Sequence, residues 1–211
     1  MSLGTIIPII TIIISVVSLC VFISTASLTL FRRGRLAMTK PAIVFFGFDA
    51  VPRTTAKIFV RTLLYSIAAR GQMIETMFAK LVHQGREQVF SFRGYGETSQ
   101  LVGGSGLYVG QTGIAMNHHL VLSVHEVPYE FTVGDYVVEL WVRLVRKRRA
   151  AKLYAIPISV TKEHAAVLAR RDGVLFELNP KDDSYLGHVR NKDGRRNSYR
   201  HIFSNLARLA A

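Results

Sequence analysis

The sequence predicts an all-β domain of two packed antiparallel sheets behind one N-terminal transmembrane helix. Three observations lead there. Residues 1–31 hold no Asp, Glu, Lys, Arg or His. The chain that follows alternates runs rich in Val, Ile, Phe and Tyr with Gly, Asp, Asn and Pro punctuation. About seven or eight strand-like runs then fall at sandwich-like intervals across residues 41–160.

The uncharged run reads "IIPIITIIISVVSLCVFISTASLTLF" from Ile6 to Phe31. Its length suits a ~30 Å hydrocarbon core, and its Ser and Thr hydroxyls can bond back to carbonyls one turn earlier. Pro8 sits near the start, where a missing N–H costs least. Arg32, Arg33 and Arg35, followed by Lys40, flank only the C-terminal side. They predict a single-pass arrangement with the N-terminus outside and the domain cytoplasmic. Cleavage of a signal peptide after Ala26 is the competing reading. The lack of a basic leading region, the long apolar core and the arginines that follow at once count against it. Cys20 is the one cysteine of the chain and lies inside the apolar run, so the rest can form no disulfide and no thiolate metal site.

Residues 32–40 read as a basic juxtamembrane linker. "AIVFFGF" (Ala42–Phe48) and "KIFVRTLLYSI" (Lys57–Ile67) are strand-like. "MIETMFAKLV" and "EQVFSFRGYG" form two strands around the turn "HQGR". Met73, Ile74, Met77, Phe78 and Leu81 also fit helical spacing, with Gly85 as a helix C-cap, but the strand-like neighbours favour strand. Tyr129–Val145 carries the clearest alternation, with Tyr136, Val138, Leu140, Val142 and Leu144 on one face. "RKRRAAK" turns the chain, and Leu153–Val160 returns as the hairpin partner. Residues 161–211 read as a partly ordered extension: a short helix capped by Thr161, a strand "GVLFELNP", a polar loop from Lys181, and a terminal amphipathic helix over Tyr199–Leu209.

The run Val133-Gly134-Asp135-Tyr136-Val137-Val138 resembles the start of the penultimate strand of immunoglobulin-like sandwiches. The resemblance implies an immunoglobulin-like β-sandwich in which Tyr136 is a corner tyrosine whose hydroxyl bonds back to nearby backbone. Val138 stands where antibody domains place a disulfide-bonded cysteine, and Trp141 does not match their core tryptophan. The resemblance implies nothing about activity.

"GIAMNHHLVLSVHE" (Gly113–Glu126) holds three histidines, yet their spacing argues against a metal site. In a strand His118 and His119 point to opposite faces. His119 and His125 share a face but stand roughly 20 Å apart at ~3.3 Å per residue. The stretch reads as a strand with histidines near the edge of the sheet; a metal site would need His83, His164 or His188 from other strands. "GGSGL" is one residue out of register for a nucleophile elbow, and the glycines at 103, 104, 106 and 110 make no phosphate-binding loop. Asp182 and Asp183 are adjacent in a loop-like segment. No cofactor and no catalytic group is expected, and an enzyme would need a site assembled from separate strands.

The net charge of +13 concentrates in places. Arg143, Arg146, Lys147, Arg148, Arg149 and Lys152 cluster around one hairpin tip, and with Arg32, Arg33 and Arg35 they form a candidate surface for anionic lipid headgroups; nucleic acid ranks below lipid. If Tyr136, Val138 and Leu140 face the core, Trp141 points outward beside Arg143 and can anchor a protein partner, unless "GVLFEL" packs over it. The expectation is therefore a membrane-anchored, non-enzymatic interaction or scaffolding module with a protein partner at the membrane, or a homo-oligomer. Electrostatic binding of lipid or nucleic acid is the alternative.

Overall fold

A computed structural model describes residues 3–27, 35–49, 55–67, 71–95, 106–122 and 128–190, with side chains for all but 3–9 and 190. The elements run α1 (Leu3–Ala26), β1 (Leu36–Met38), β2 (Ile43–Phe48), β3 (Ala56–Ser66), β4 (Gln72–His83), β5 (Arg86–Tyr95), β6 (Leu107–Val109), β7 (Ile114–Leu122), β8 (Gly134–Leu144), β9 (Ala151–Val160), α2 (Lys162–Ala169), β10 (Gly173–Leu178) and β11 (Tyr185–Arg190).

The expected pair of sheets, and with it the immunoglobulin-like topology, is corrected. All eleven strands join one antiparallel sheet in the order β11-β10-β2-β3-β7-β5-β4-β8-β9, with β1 on β3 and β6 on β4. The sheet curls until β9 approaches β11 and β1, giving a nearly closed barrel. One core fills it. Val44, Phe46, Ile58, Val60, Ala79, Leu81, Phe90, Leu120, Val138, Leu140, Ile156, Val174 and Phe176 all point inward and are fully or almost fully buried. The alternation along β8 is as its sequence implies: Tyr136, Val138, Leu140 and Val142 are inside. Pro157 is tolerated because β9 ends the strand order, where a missing ladder donor costs least.

Four further expectations change. β10 pairs with β2, so Val160 marks no boundary of the sheet, and the loop expected from Lys181 contains β11, paired with β10 from Gly173↔Arg190 to Leu178↔Tyr185. β7 lies between β3 and β5, so its histidines are central and not at an edge. The membrane crossing is also corrected: among the described residues no helix is long and apolar enough to cross a membrane. The backbone of α1 covers Leu3–Ala26, but its described side chains begin at Ile10. Within that stretch Ile12, Val16, Leu19 and Phe22 are more than half exposed, and Ser15 and Thr25 bond back to the carbonyls of Thr11 and Val21.

Residues 72–83 are strand, and the turn after them is a two-residue hairpin with Gln84 and Gly85 both at positive φ (49° and 76°). α2 begins at a capping box in which Thr161 accepts from the His164 amide and His164 accepts from the Thr161 amide. The terminal helix expected over 199–209 lies outside the described residues.

Candidate binding face

The strand order sets two ends of the barrel apart. At one end lie the β8–β9 turn, the start of β4, β6, the end of β3 and the start of β1. At the other lie the β4–β5 turn, the start of β8, the end of β2 and α2. Backbone bonds tie the first end together: Val145 N–H to the Met73 carbonyl, Ser66 to Gly110, and Ile67 to Arg35.

Parity along β8 puts Trp141 outward, and the register decides its company. β4 places Phe78 directly opposite Trp141 and Lys80 opposite Glu139. On the other side an irregularity between Leu140 and Trp141 makes Lys152 the partner of Trp141. The outcome is an indole stacked beside the Phe78 ring (centroids 6.3 Å, 6° between planes) with two ammonium groups over it, Lys80 at 5.3 Å and Lys152 at 5.9 Å. Glu139 accepts from the indole N–H at 3.0 Å and from Lys152 at 2.9 Å. The Lys152 hydrogen bond holds the Glu139 carboxyl below its ordinary value. Lys80 donates to Glu87 at 2.9 Å, and that bond raises its ammonium above its ordinary value.

Arg143 forks onto Glu75 at 3.2 and 3.4 Å. The three carboxylates of this face are thus each matched by one of its three cations. Beyond them the turn carries Arg146, Lys147, Arg148 and Arg149, all exposed, with Arg146 left-handed at φ 67°. None of these four forms an ion pair with a described residue. Arg35 is exposed at the same end of the barrel through the ladder above. Arg32 and Arg33 lie outside the described residues.

The structure therefore brings Trp141, Arg143, Lys152 and the turn cations onto one face and end. It also adds Phe78, Lys80 and Glu139, whose role depends on the β4–β8 register. Of the two alternatives for Trp141, the cover by "GVLFEL" does not form: that segment is β10, between β11 and β2.

The histidines are dispersed. His118 faces the interior opposite Val60, with its ring 6.5 Å from Phe92 and, among the described residues, no hydrogen-bond partner on either nitrogen. Burial pushes its imidazole down to about 4, and the neighbouring His119 adds to the shift. His119 lies on the opposite face against Phe59, at 5.3 Å. His83 stacks on Tyr136 at 4.0 Å and reaches the Asp135 carbonyl and the Thr132 hydroxyl. Among the described residues no three His, Cys, Asp or Glu are placed to hold one metal ion. His125 and the glycines at 103 and 104 lie outside them. Asp182 accepts from the Ser184 amide and hydroxyl, and Asp183 pairs with Lys40 at 3.1 Å, so the adjacent carboxylates serve their own turn.

Tyr136 donates to the Thr132 carbonyl at 2.9 Å and accepts from the Thr132 amide at 2.8 Å. The resemblance implied such a local bond; here it is made within a different topology. Gly134 precedes it at φ 137°, where a Cβ would stand 2.7 Å from the His83 ring.

No protein-family model, no curated protein and no solved structure matches this chain.

Proposed function

We propose that this protein is a non-enzymatic binding module that captures an acidic protein surface on the outer face of β4, β8 and β9. The observation that carries the reading is the placement of Trp141, an aromatic platform under two ammonium groups, next to four turn cations that have no counter-charge among the described residues. Tryptophan and arginine dominate interface energetics, and unpaired cations draw an anionic partner in before the apolar contact forms. The cross-strand pairs around Trp141 also hold its ring in place before a partner arrives, which lowers the entropy lost on capture.

A second reading rests on the same four cations together with Arg35. A sequence-blind polyanion surface, a lipid headgroup layer or nucleic acid, would engage the turn and not need the indole. The two readings part at Trp141.

Trp141 is the only tryptophan in the chain, so intrinsic emission reports on this face alone. Titration with a synthetic peptide of alternating Glu and Phe should shift that emission saturably. In a competition assay with the labelled peptide, Trp141→Ala should weaken binding by roughly tenfold or more, as expected for a central aromatic anchor. Equal binding by Trp141→Ala and wild type, with heparin competing equally well for both, would leave only the polyanion reading.

A further inference from the structure

A cavity of about 400 Å³ opens at the other end of the barrel, between α2 and the segment 130–133. We propose that it binds a small apolar monocarboxylate, with the ligand's carboxylate on Arg171. This site lies away from the Trp141 face and does not depend on how that face is used.

The cavity exists because α2 presents methyl groups to it. Ala165, Ala166 and Ala169 line one wall, while Phe48, Phe131 and Leu168 form apolar floor. Volumes of ~300–1,000 Å³ with apolar walls and few polar groups characterise small-ligand sites. One cation and one carboxylate belong to this lining. Arg171 follows the helix in the left-handed region, φ 63°, a conformation that side chains other than Gly and Asn rarely adopt. Its guanidinium carbon stands 4.4 Å from the centroid of the Phe48 ring, so the cation lies over an apolar part of the lining while its side chain stays 36% exposed.

The present counter-charge of Arg171 is weakly held. Glu130 approaches through one oxygen, at 3.6 Å from Nη2, and its side chain is 77% exposed. An ion pair this exposed adds little and gives way readily. A ligand carboxylate entering from the cavity can meet the guanidinium fork with both oxygens, the stronger geometry. Its apolar body then fills the space beside the alanines. Glu130 also restricts the ligand's charge. A single guanidinium beside a carboxylate suits a monoanion, whereas a phosphate dianion would be repelled.

The test is a titration of full-length protein carrying ¹³C-methyl alanine with 3-phenylpropanoate, alongside the neutral 3-phenylpropanol. The proposal expects saturable movement of the Ala165, Ala166 and Ala169 methyl signals with the carboxylate. Arg171→Asn keeps a residue that tolerates the left-handed turn and removes the charge. It should weaken the carboxylate at least tenfold and leave the alcohol unchanged. Ala166→Phe, at an exposed position on α2, should abolish both. The proposal is overturned if those three methyl signals stay still at millimolar carboxylate, if acid and alcohol bind equally to wild type, or if Ala166→Phe binds as wild type does.

Discussion

Replacing His118 with leucine should make this protein more stable, and the gain should grow as the solution is acidified. The ring is fully buried inside the barrel and neither nitrogen has a hydrogen-bond partner among the described residues. A buried polar group left unsatisfied costs ~1–3 kcal/mol, and leucine removes it at similar volume. The pH dependence follows from the lowered imidazole, about 4 in the folded chain against about 6.5 unfolded. Between those values the unfolded chain binds the extra proton and the folded chain does not. Wild-type stability is therefore complete above pH ~6.5, falls as the pH drops towards 4, and changes no further from this group below that. The interval is worth about 3 kcal/mol at ~1.4 kcal/mol per unit. Urea denaturation of wild type and His118→Leu at several values from pH 7.5 to 4 isolates the histidine, because other titrating groups cancel in the difference. A variant less stable than wild type at pH 7.5, or a difference that does not change with pH, would mean that the buried imidazole is neither unsatisfied nor shifted as described.

Two other substitutions probe the frame around the candidate face. Tyr136→Phe removes a hydroxyl that both donates to and accepts from the Thr132 backbone and orphans the Thr132 amide, so the urea midpoint should fall by an amount equivalent to about 1–3 kcal/mol. Gln84→Asn places a residue suited to φ > 0 before Gly85 in the β4–β5 turn, and thermal unfolding should show a small gain, about 0.5 kcal/mol.

Local features were legible in the sequence and pairings between distant strands were not. Alternation at period two identifies β8 and puts Tyr136 in and Trp141 out whatever the sheet does around them. The Gln84-Gly85 turn and the Thr161 cap are chemistry within a few residues, and both stand as read. The strand order is different in kind. Pairing of β2 with β10, β3 with β7 and β4 with β8 joins segments far apart in the chain, and the same alternating strands could equally face each other as two sheets. β11 was missed because "YLGHVR" has little apolar alternation; as the last strand of the order it leaves Leu186 and Val189 about half exposed.

The candidate site divides the same way. The outward tryptophan and the cationic turn follow from residue identity and parity. Lys80 reaches the indole only through the β4–β8 register, and Lys152 only through the irregularity at Trp141. The cavity beside α2 had no sequence signal beyond three alanines in five residues, a common helical composition.

Capture of an acidic surface by the β8–β9 turn is tested by the salt dependence of affinity for the acidic peptide, in wild type and in a variant with Arg146, Lys147, Arg148 and Arg149 all changed to glutamine. Wild-type affinity should fall steeply with added salt, and the variant's weaker affinity should depend little on it. A wild-type affinity that ignores salt, or a variant that matches wild type throughout, would contradict capture by this turn.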